Sequence, residues 1–266
     1  MKKSITPYAC LLAGILLSLS GCRKAIEDYL KDNPTAEFGF CQLKQFNYHT
    51  SATLGTERGI ADTMRFTYNS HGDPVTGFRP RPSTGYPNWF FRYDRWNRLT
   101  DLIGSYGTAP DLSDGGIEDW IRYKYDSRGL IVFDSAYNFP TMVDGHPTIG
   151  EYGAVALGNY EYDSKGRITR FSWGWAGSTI VFVSNYSYNP DGNRIGALYD
   201  DKINLHRTNK VWMFIDQDYS VNNPLTAAYT YNDHGLPVSI VPTVGTEMYF
   251  FASLEYDRAD VKYTCK

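Results

Sequence analysis

Histidine, carboxylate, thiol and indole are the side chains from which chemistry could be built in this sequence. The five histidines stand at 49, 71, 146, 206 and 234. No two are spaced like zinc ligands, and no C-x-x-C or H-E-x-x-H occurs. His71 and His234 each precede a glycine at a turn, a position that explains them without a metal. Neither a G-x-S-x-G nucleophile elbow nor a P-loop is present. The densest acidic stretch runs Asp111, Asp114, Glu118 and Asp119. It could offer carboxylates to calcium, but it lacks the D-x-D-x-D-G order and reads as a solvated loop. No catalytic residue, metal ligand or cofactor is therefore assigned. Aromatic side chains are the one unusual resource, at 16% of the chain. Trp173 and Trp175 fall two residues apart, on one face of a strand, where they could stack on sugar rings or pack as core.

The elements that would position these groups repeat along the chain. The clearest copy is Tyr160-Glu161-Tyr162-Asp163-Ser164-Lys165-Gly166-Arg167-Ile168. Tyr123 to Ile131 and Tyr186 to Arg194 match it. Weaker copies start at Phe66, Phe91, Tyr229 and Leu254, which makes seven, with their second tyrosines at 68, 93, 125, 162, 188, 231 and 256. Tyr-x-Tyr places both rings on one face of a strand. The Asp or Asn that follows accepts from backbone N–H groups two residues on and opens a turn. The residue three places later needs a positive φ, supplied by Gly72, Asn97, Gly129, Gly166, Gly192 and Gly235. Each unit is a hairpin whose three-residue loop is a type I turn closed by a bulge. That register puts Tyr162 opposite Ile168, Tyr125 opposite Ile131 and Tyr123 opposite Phe133. The expected fold is all-β: a single large antiparallel meander of about fourteen strands from seven hairpin repeats, strongly curved or barrel-like. Helix is expected only over Ala25 to Lys31.

The N-terminus carries an address. Lys2 and Lys3 precede a short apolar run, Ala9 to Leu19, too short to span a bilayer. The run ends in Leu19-Ser20-Gly21-Cys22, which resembles the bacterial lipobox. The resemblance implies cleavage after residue 21, acylation of Cys22 and a membrane partner reached through N-terminal lipid. Residues 22–36 would then be a tether and 37–266 the β domain. Arg23-Lys24, rather than Asp, after the cysteine implies sorting to the outer membrane, on its periplasmic or its surface face. With Cys10 removed and Cys22 acylated, Cys41 and Cys265 are the remaining thiols. In a closed barrel they would be neighbours and form a disulfide, which that compartment permits; in an open meander they would lie at opposite edges as buried thiols.

The Tyr-Asp-x-x-Gly-Arg-Ile unit is similar to the YD repeat of RHS-type proteins, from about residue 64 onward. Long members wind such repeats into a hollow shell, and this chain is far too short for one. It resembles the short lipoproteins with degenerate YD repeats, some of them porin-like, which implies a curved sheet or partial barrel and no activity. A membrane-spanning barrel is disfavoured by the anchor, by the ending Thr264-Cys265-Lys266, and by Lys124, Glu161 and Thr169 on the face opposite the tyrosines.

A net charge of −3 gives no general pull toward nucleic acid. The function expected is a lipid-anchored envelope β-repeat protein with a non-catalytic binding or structural role, its partner an envelope protein or a glycan. The alternatives are a glycan-binding lipoprotein beside a polysaccharide uptake system, which needs coplanar exposed rings, and an enzyme acting on envelope polymers, which needs carboxylates or a histidine converging in a cleft formed by the insertions at 104–118, 138–152 or 199–224.

Overall fold

The computed structural model describes residues 24–50, 60–243, 248–251 and 254–266. Residues 24–32 form helix α1. The first run of strands is β1 Cys41–Thr50, β2 Ile60–Tyr68, β3 Pro74–Phe78, β4 Asn88–Tyr93, β5 Leu99–Ser105, β6 Ile117–Tyr125 and β7 Ile131–Asn138. It continues with β8 Thr141–Val143, β9 His146–Thr148, β10 Ala154–Tyr162, β11 Ile168–Trp175 and β12 Phe182–Asn185. Next come β13 Tyr199–Ile203, a 3-10 turn at Leu205–Thr208, helix α2 Lys210–Ile215 and β14 Asn222–Pro224. The chain ends with β15 Ala227–Tyr231, β16 Pro237–Pro242, β17 Met248–Phe250, β18 Leu254–Tyr256 and β19 Arg258–Cys265.

Thirteen strands make one antiparallel sheet, in the order β12-β11-β10-β7-β6-β5-β4-β3-β2-β1-β19-β16-β15. From β1 to β12 it is a meander, with the β8–β9 ribbon set aside. The chain then leaves the sheet, and its last strand returns to pair with β1 along Cys41↔Cys265 to His49↔Arg258. The edges of this open sheet are thus β12 and β15, and neither β1 nor β19 lies at an edge.

The turn chemistry is the same from copy to copy. Asp163 Oδ1 accepts from the N–H groups of Lys165 and Arg167, and Oδ2 accepts from Arg167 Nε at 2.8 Å. Asp94 and Asp126 repeat the arrangement. The N–H of Leu130 and the Arg128 side chain hold the Asp126 carboxyl below its usual range. Gly72, Gly129, Gly166, Gly192 and Gly235 have φ of 90°, 79°, 81°, 81° and 76°, and Asn97 has 59°. At Gly166 a Cβ would also lie 3.2 Å from Thr35 Cγ2. Gly166→Val is therefore expected to destabilise by about 1–3 kcal/mol. Thermal unfolding checks this, and a melting temperature equal to wild type would count against the strained turn.

The bulge revises the predicted register. Tyr162 faces Ile168 and Tyr125 faces Ile131, as the loop length requires. One residue further the second strand carries an extra residue, so Tyr123 faces Asp134, and Phe133 lies opposite Lys124. The Lys124 ammonium then sits 5.1 Å from the Phe133 ring centroid.

In the first five copies the second tyrosine ties the unit to the preceding strands through its hydroxyl, whereas Tyr231 of the sixth donates to Asp200. Tyr93 donates to Pro74 O, Tyr125 to Leu99 O, Tyr162 to Ile131 O and Tyr188 to Ile168 O, at 2.6–3.2 Å. Each acceptor opens the second strand of the earlier repeat. Tyr68 donates likewise to Leu43 O. Guanidinium groups add to the same joints: Arg98 stacks over Tyr125 and Arg167 over Tyr188. Phenylalanine would pack equally well here but would lack the hydroxyl donor, which accounts for the tyrosine content. In the last copy the joint is made by Tyr263, which donates to Pro237 O at 2.8 Å. Tyr256, the residue the spacing selects, is instead buried against Phe46, with centroids 5.3 Å apart.

The sheet curves around a plug formed by residues 199–224. Trp212 of α2 meets Phe66 of β2 at 4.9 Å, while Phe214 meets Tyr160 of β10 at 5.1 Å. β2 and β10 are six strand spacings apart, roughly 29 Å across a flat sheet. A six-residue helix, about 9 Å long, reaches both only if the sheet wraps it. Helix α2 starts at Asn209, whose side chain accepts from Val211 N. Sequence periodicity missed this helix because it is shorter than two turns and apolar on most sides.

Candidate functional site

The plug holds the densest set of buried polar groups. Asn204 caps the 3-10 turn, its Oδ1 accepting from His206 N at 2.9 Å. The same oxygen lies 2.9 Å from His206 Nδ1, and His206 Nε2 lies 2.8 Å from Asp216 Oδ2. The orientation of Asn204 is fixed, because its Nδ2 donates to Asp218 Oδ2 and Asn222 O. Both imidazole nitrogens therefore donate, to an amide oxygen and to a carboxylate, so the ring is held as imidazolium. Asp218 lies 3.6 Å from Nδ1 and 3.9 Å from Arg194 Nε. Asp216 Oδ2 also accepts from Phe251 N at 2.8 Å, joining the plug to the C-terminal segment. These groups border a cavity of about 460 Å³ that is also lined by Tyr229 of β15 and by Met248 and Tyr256 of the β17–β18 ribbon.

Burial opposes the charge on His206, but the hydrogen bond it donates to Asp216 and the charges of Asp216 and Asp218 outweigh it and raise the pKa. Burial likewise opposes ionisation of Asp218, yet Arg194, His206 and Ser220 pull it down to about 2. The raised histidine contributes stability in full below about pH 6.5, its unfolded value, and loses it as pH rises through the higher folded value. The depressed aspartate contributes above about pH 4 and loses its contribution as pH falls through about 2. Melting temperature is thus expected to fall for wild type between pH 6 and 9, while His206→Gln stays flat over that interval. Parallel curves for the two proteins would remove the imidazolium from the account.

A second buried cation fastens the N-terminal segment to the plug. Arg207 is fully buried; its Nη1 donates to Pro34 O and Ala36 O, Nη2 to Tyr219 O at 2.8 Å, and Nε to Ser220 O at 3.2 Å. Burial draws the guanidinium down to about 10, so it remains charged at neutral pH. Leu30 of α1 packs with Phe38, Ile203, Val221 and Leu236. Residues 24–36, expected as a tether, are thus docked on the plug.

The residues selected from sequence fall in separate places. Cys22 lies outside the described residues. Cys41 and Cys265 form a disulfide with Cα atoms 4.1 Å apart, although the sheet is open. The coupling of a bridge to barrel closure is thereby corrected: β19 reaches β1 by inserting beside it within the sheet. His234 also approaches these sulfurs, its ring nitrogen lying within 4.8 Å of them. Trp173 and Trp175 share a face, but their rings are perpendicular, at 85°. Trp173 is stacked on Phe182 instead, at 4.6 Å and 24°. The two indoles do not make one flat platform for a sugar. The turn residues Asn97, Gly129 and Gly166 line a groove of about 400 Å³ beside α2, with Trp96 at its rim. Asp111 and Asp114 bond their own loop, Asp114 accepting from Thr108 N and Ala109 N. Glu118 is buried and accepts from Gly85 N. No helix among the described residues is long and apolar enough to cross a membrane.

No family model matches the chain, and no curated protein matches it. Among solved structures it is similar to a chain of the TcdB2-TccC3-Cdc42 crystal structure, at 12% identity and a TM-score of 0.29 over 75% of this chain. This chain spans about a tenth, 11%, of that one. It is also similar to a porin-like protein from Bacteroides uniformis, at 13% identity and a TM-score of 0.32, over 84% of this chain and 98% of that one. At these TM-scores, function has to be argued from the chain's own residues.

Proposed function

We propose that this chain is a lipid-anchored protein of the bacterial envelope, held in the outer membrane through Cys22, with a non-catalytic binding or structural role. The observation that carries the non-catalytic part is the state of His206. It is a histidine flanked by carboxylates in a cleft, as an enzyme on envelope polymers would need, and it belongs to the 199–224 insertion. Yet both of its nitrogens already donate, at 2.9 and 2.8 Å, so no lone pair is left to take a substrate proton. The glycan reading needs coplanar rings, and the indole pair is perpendicular. What the fold presents outward is repeated hairpin turns and an open sheet edge, surfaces for contact with other macromolecules. The Leu19-Ser20-Gly21-Cys22 run supports the anchor, and acyl chains contribute about 0.8 kcal/mol per buried CH₂. Cys22→Ala is expected to move the protein from the membrane fraction to the soluble fraction, with loss of the acyl mass by mass spectrometry. Wild-type protein recovered soluble and unacylated would end this reading.

A further inference from the structure

The sheet has two edges, and they are treated differently. Beside β15 lies the β13–β14 ribbon of the plug: Tyr231 donates to Asp200, and Tyr229 to Pro224 O at 2.9 Å. Along β12 the sheet ends, and no described strand lies beyond it. All four β12 residues are exposed. With the two residues before them they present a continuous apolar run, in which Ile180 is 63%, Val181 59%, Phe182 48% and Val183 45% exposed. Exposed edges are ordinarily blunted by lysine, proline or a bulge. None of these protects β12: from Ala176 to Tyr188 there is no charged residue, no histidine and no proline.

We infer that β12 is the pairing edge for a second copy of this chain, with the two β12 strands running antiparallel about a two-fold axis and their sheets joined into one. The occupant follows from charge and symmetry. A two-fold antiparallel pair sets a strand against its own reverse, so any charged residue near the axis meets its own copy at cross-strand distance and repels it. β12 and the residues on either side of it, 176–188, carry no charge and meet that demand. It also offers a strand of a different protein no charge by which to be selected. Along β12 the side chains alternate, so Phe182 lies on one face and Val183 on the other, and pairing covers apolar surface on both. The edge N–H and C=O groups gain partners at the same time. This inference stands on the edge alone and does not depend on the envelope reading.

The test uses the full chain, in membranes for cross-linking and in density-matched detergent for sedimentation. Single cysteines are placed at Val181, Phe182, Val183 and Ser184, and disulfide formation under mild oxidation is read on a non-reducing gel. The expected result is a covalent dimer strongest at one position and weaker at its neighbours, because only residues next to the axis bring their own copy within reach. Wild type is expected to sediment at twice the chain mass. Val183→Lys and, separately, Val181→Lys should each halve that mass with the melting temperature retained, since both positions are exposed. Four results would overturn the inference: wild type at one chain mass, no cross-link at any of the four positions, a dimer that survives both lysines, or the same cysteines linking to another polypeptide instead. If Cys22→Ala releases a protein that still dimerises through β12, the anchor and the edge are separate properties. If wild type is soluble and unacylated, the envelope reading fails while the edge is still tested.

Discussion

Replacing Cys41 and Cys265 together with serine is expected to lower the free energy of unfolding by about 5 kcal/mol, the entropic estimate for opening a loop of this length. The bridge spans 224 residues, nearly all of the described chain. Its position makes the effect large. β1 and β19 lie inside the sheet, and their ladder joins the meander to the returning β15–β16–β19 unit. In the unfolded chain nothing else holds these ends together, so the bridge removes conformations that noncovalent contacts do not. Urea unfolding of wild type, with and without reductant, and of the double variant provides the measurement. Reduced wild type should coincide with the double variant. A difference of less than about 1 kcal/mol between oxidised wild type and variant would show that the native ladder, rather than the bridge, sets the ends.

The plug provides the second large effect. Trp212 is fully buried, and its ring meets Phe66 at 4.9 Å, Phe251 at 5.4 Å, Phe91 at 5.7 Å and Phe250 at 6.0 Å. Those partners come from β2, β4 and the C-terminal segment, so one side chain is the common contact of three parts of the fold. Trp212→Ala is expected to cost about 3–5 kcal/mol, transfer and cavity together. It should also expose the 205–218 segment to protease before the sheet unfolds, because α2 has too few turns to persist without its packing. Denaturant unfolding and limited proteolysis read the two parts. A loss below about 1 kcal/mol, with unchanged cleavage, would mean that the sheet does not depend on its plug.

These two effects depend on parts of the molecule that differ in how far they show in the sequence. Tyr162, Asp163, Gly166 and Ile168 specify one hairpin with local rules: period two for the rings, an acceptor for the turn, and a positive φ three places later. Every partner in that unit lies within about ten residues, so the all-β class and the turn positions could be read directly. The bulge that sets Tyr123 opposite Asp134 could not, because an extra residue in one strand leaves no mark in an alternating pattern. Nor could the exchange of Tyr256 for Tyr263, since the repeat selects Tyr256 and only its packing against Phe46 takes it away from the joint.

The sequence by itself determined the repeat, its turn chemistry and the two cysteines available for a bridge. The tertiary structure decided that β19 lies beside β1 in an open sheet, that residues 199–224 fill its concave side, and that His206 meets Asp216 and Asp218 with no nitrogen to spare. It also decided which edge is left bare. The physical reason is range. Hairpins close within a few residues, where steric and hydrogen-bond rules act on neighbours. The return of β19, the packing of the plug against the sheet and the bond from Arg207 to Pro34 instead join positions far apart in the chain, and what selects them is the burial of aromatic surface and the satisfaction of buried charge, quantities that exist only once the whole sheet has curved.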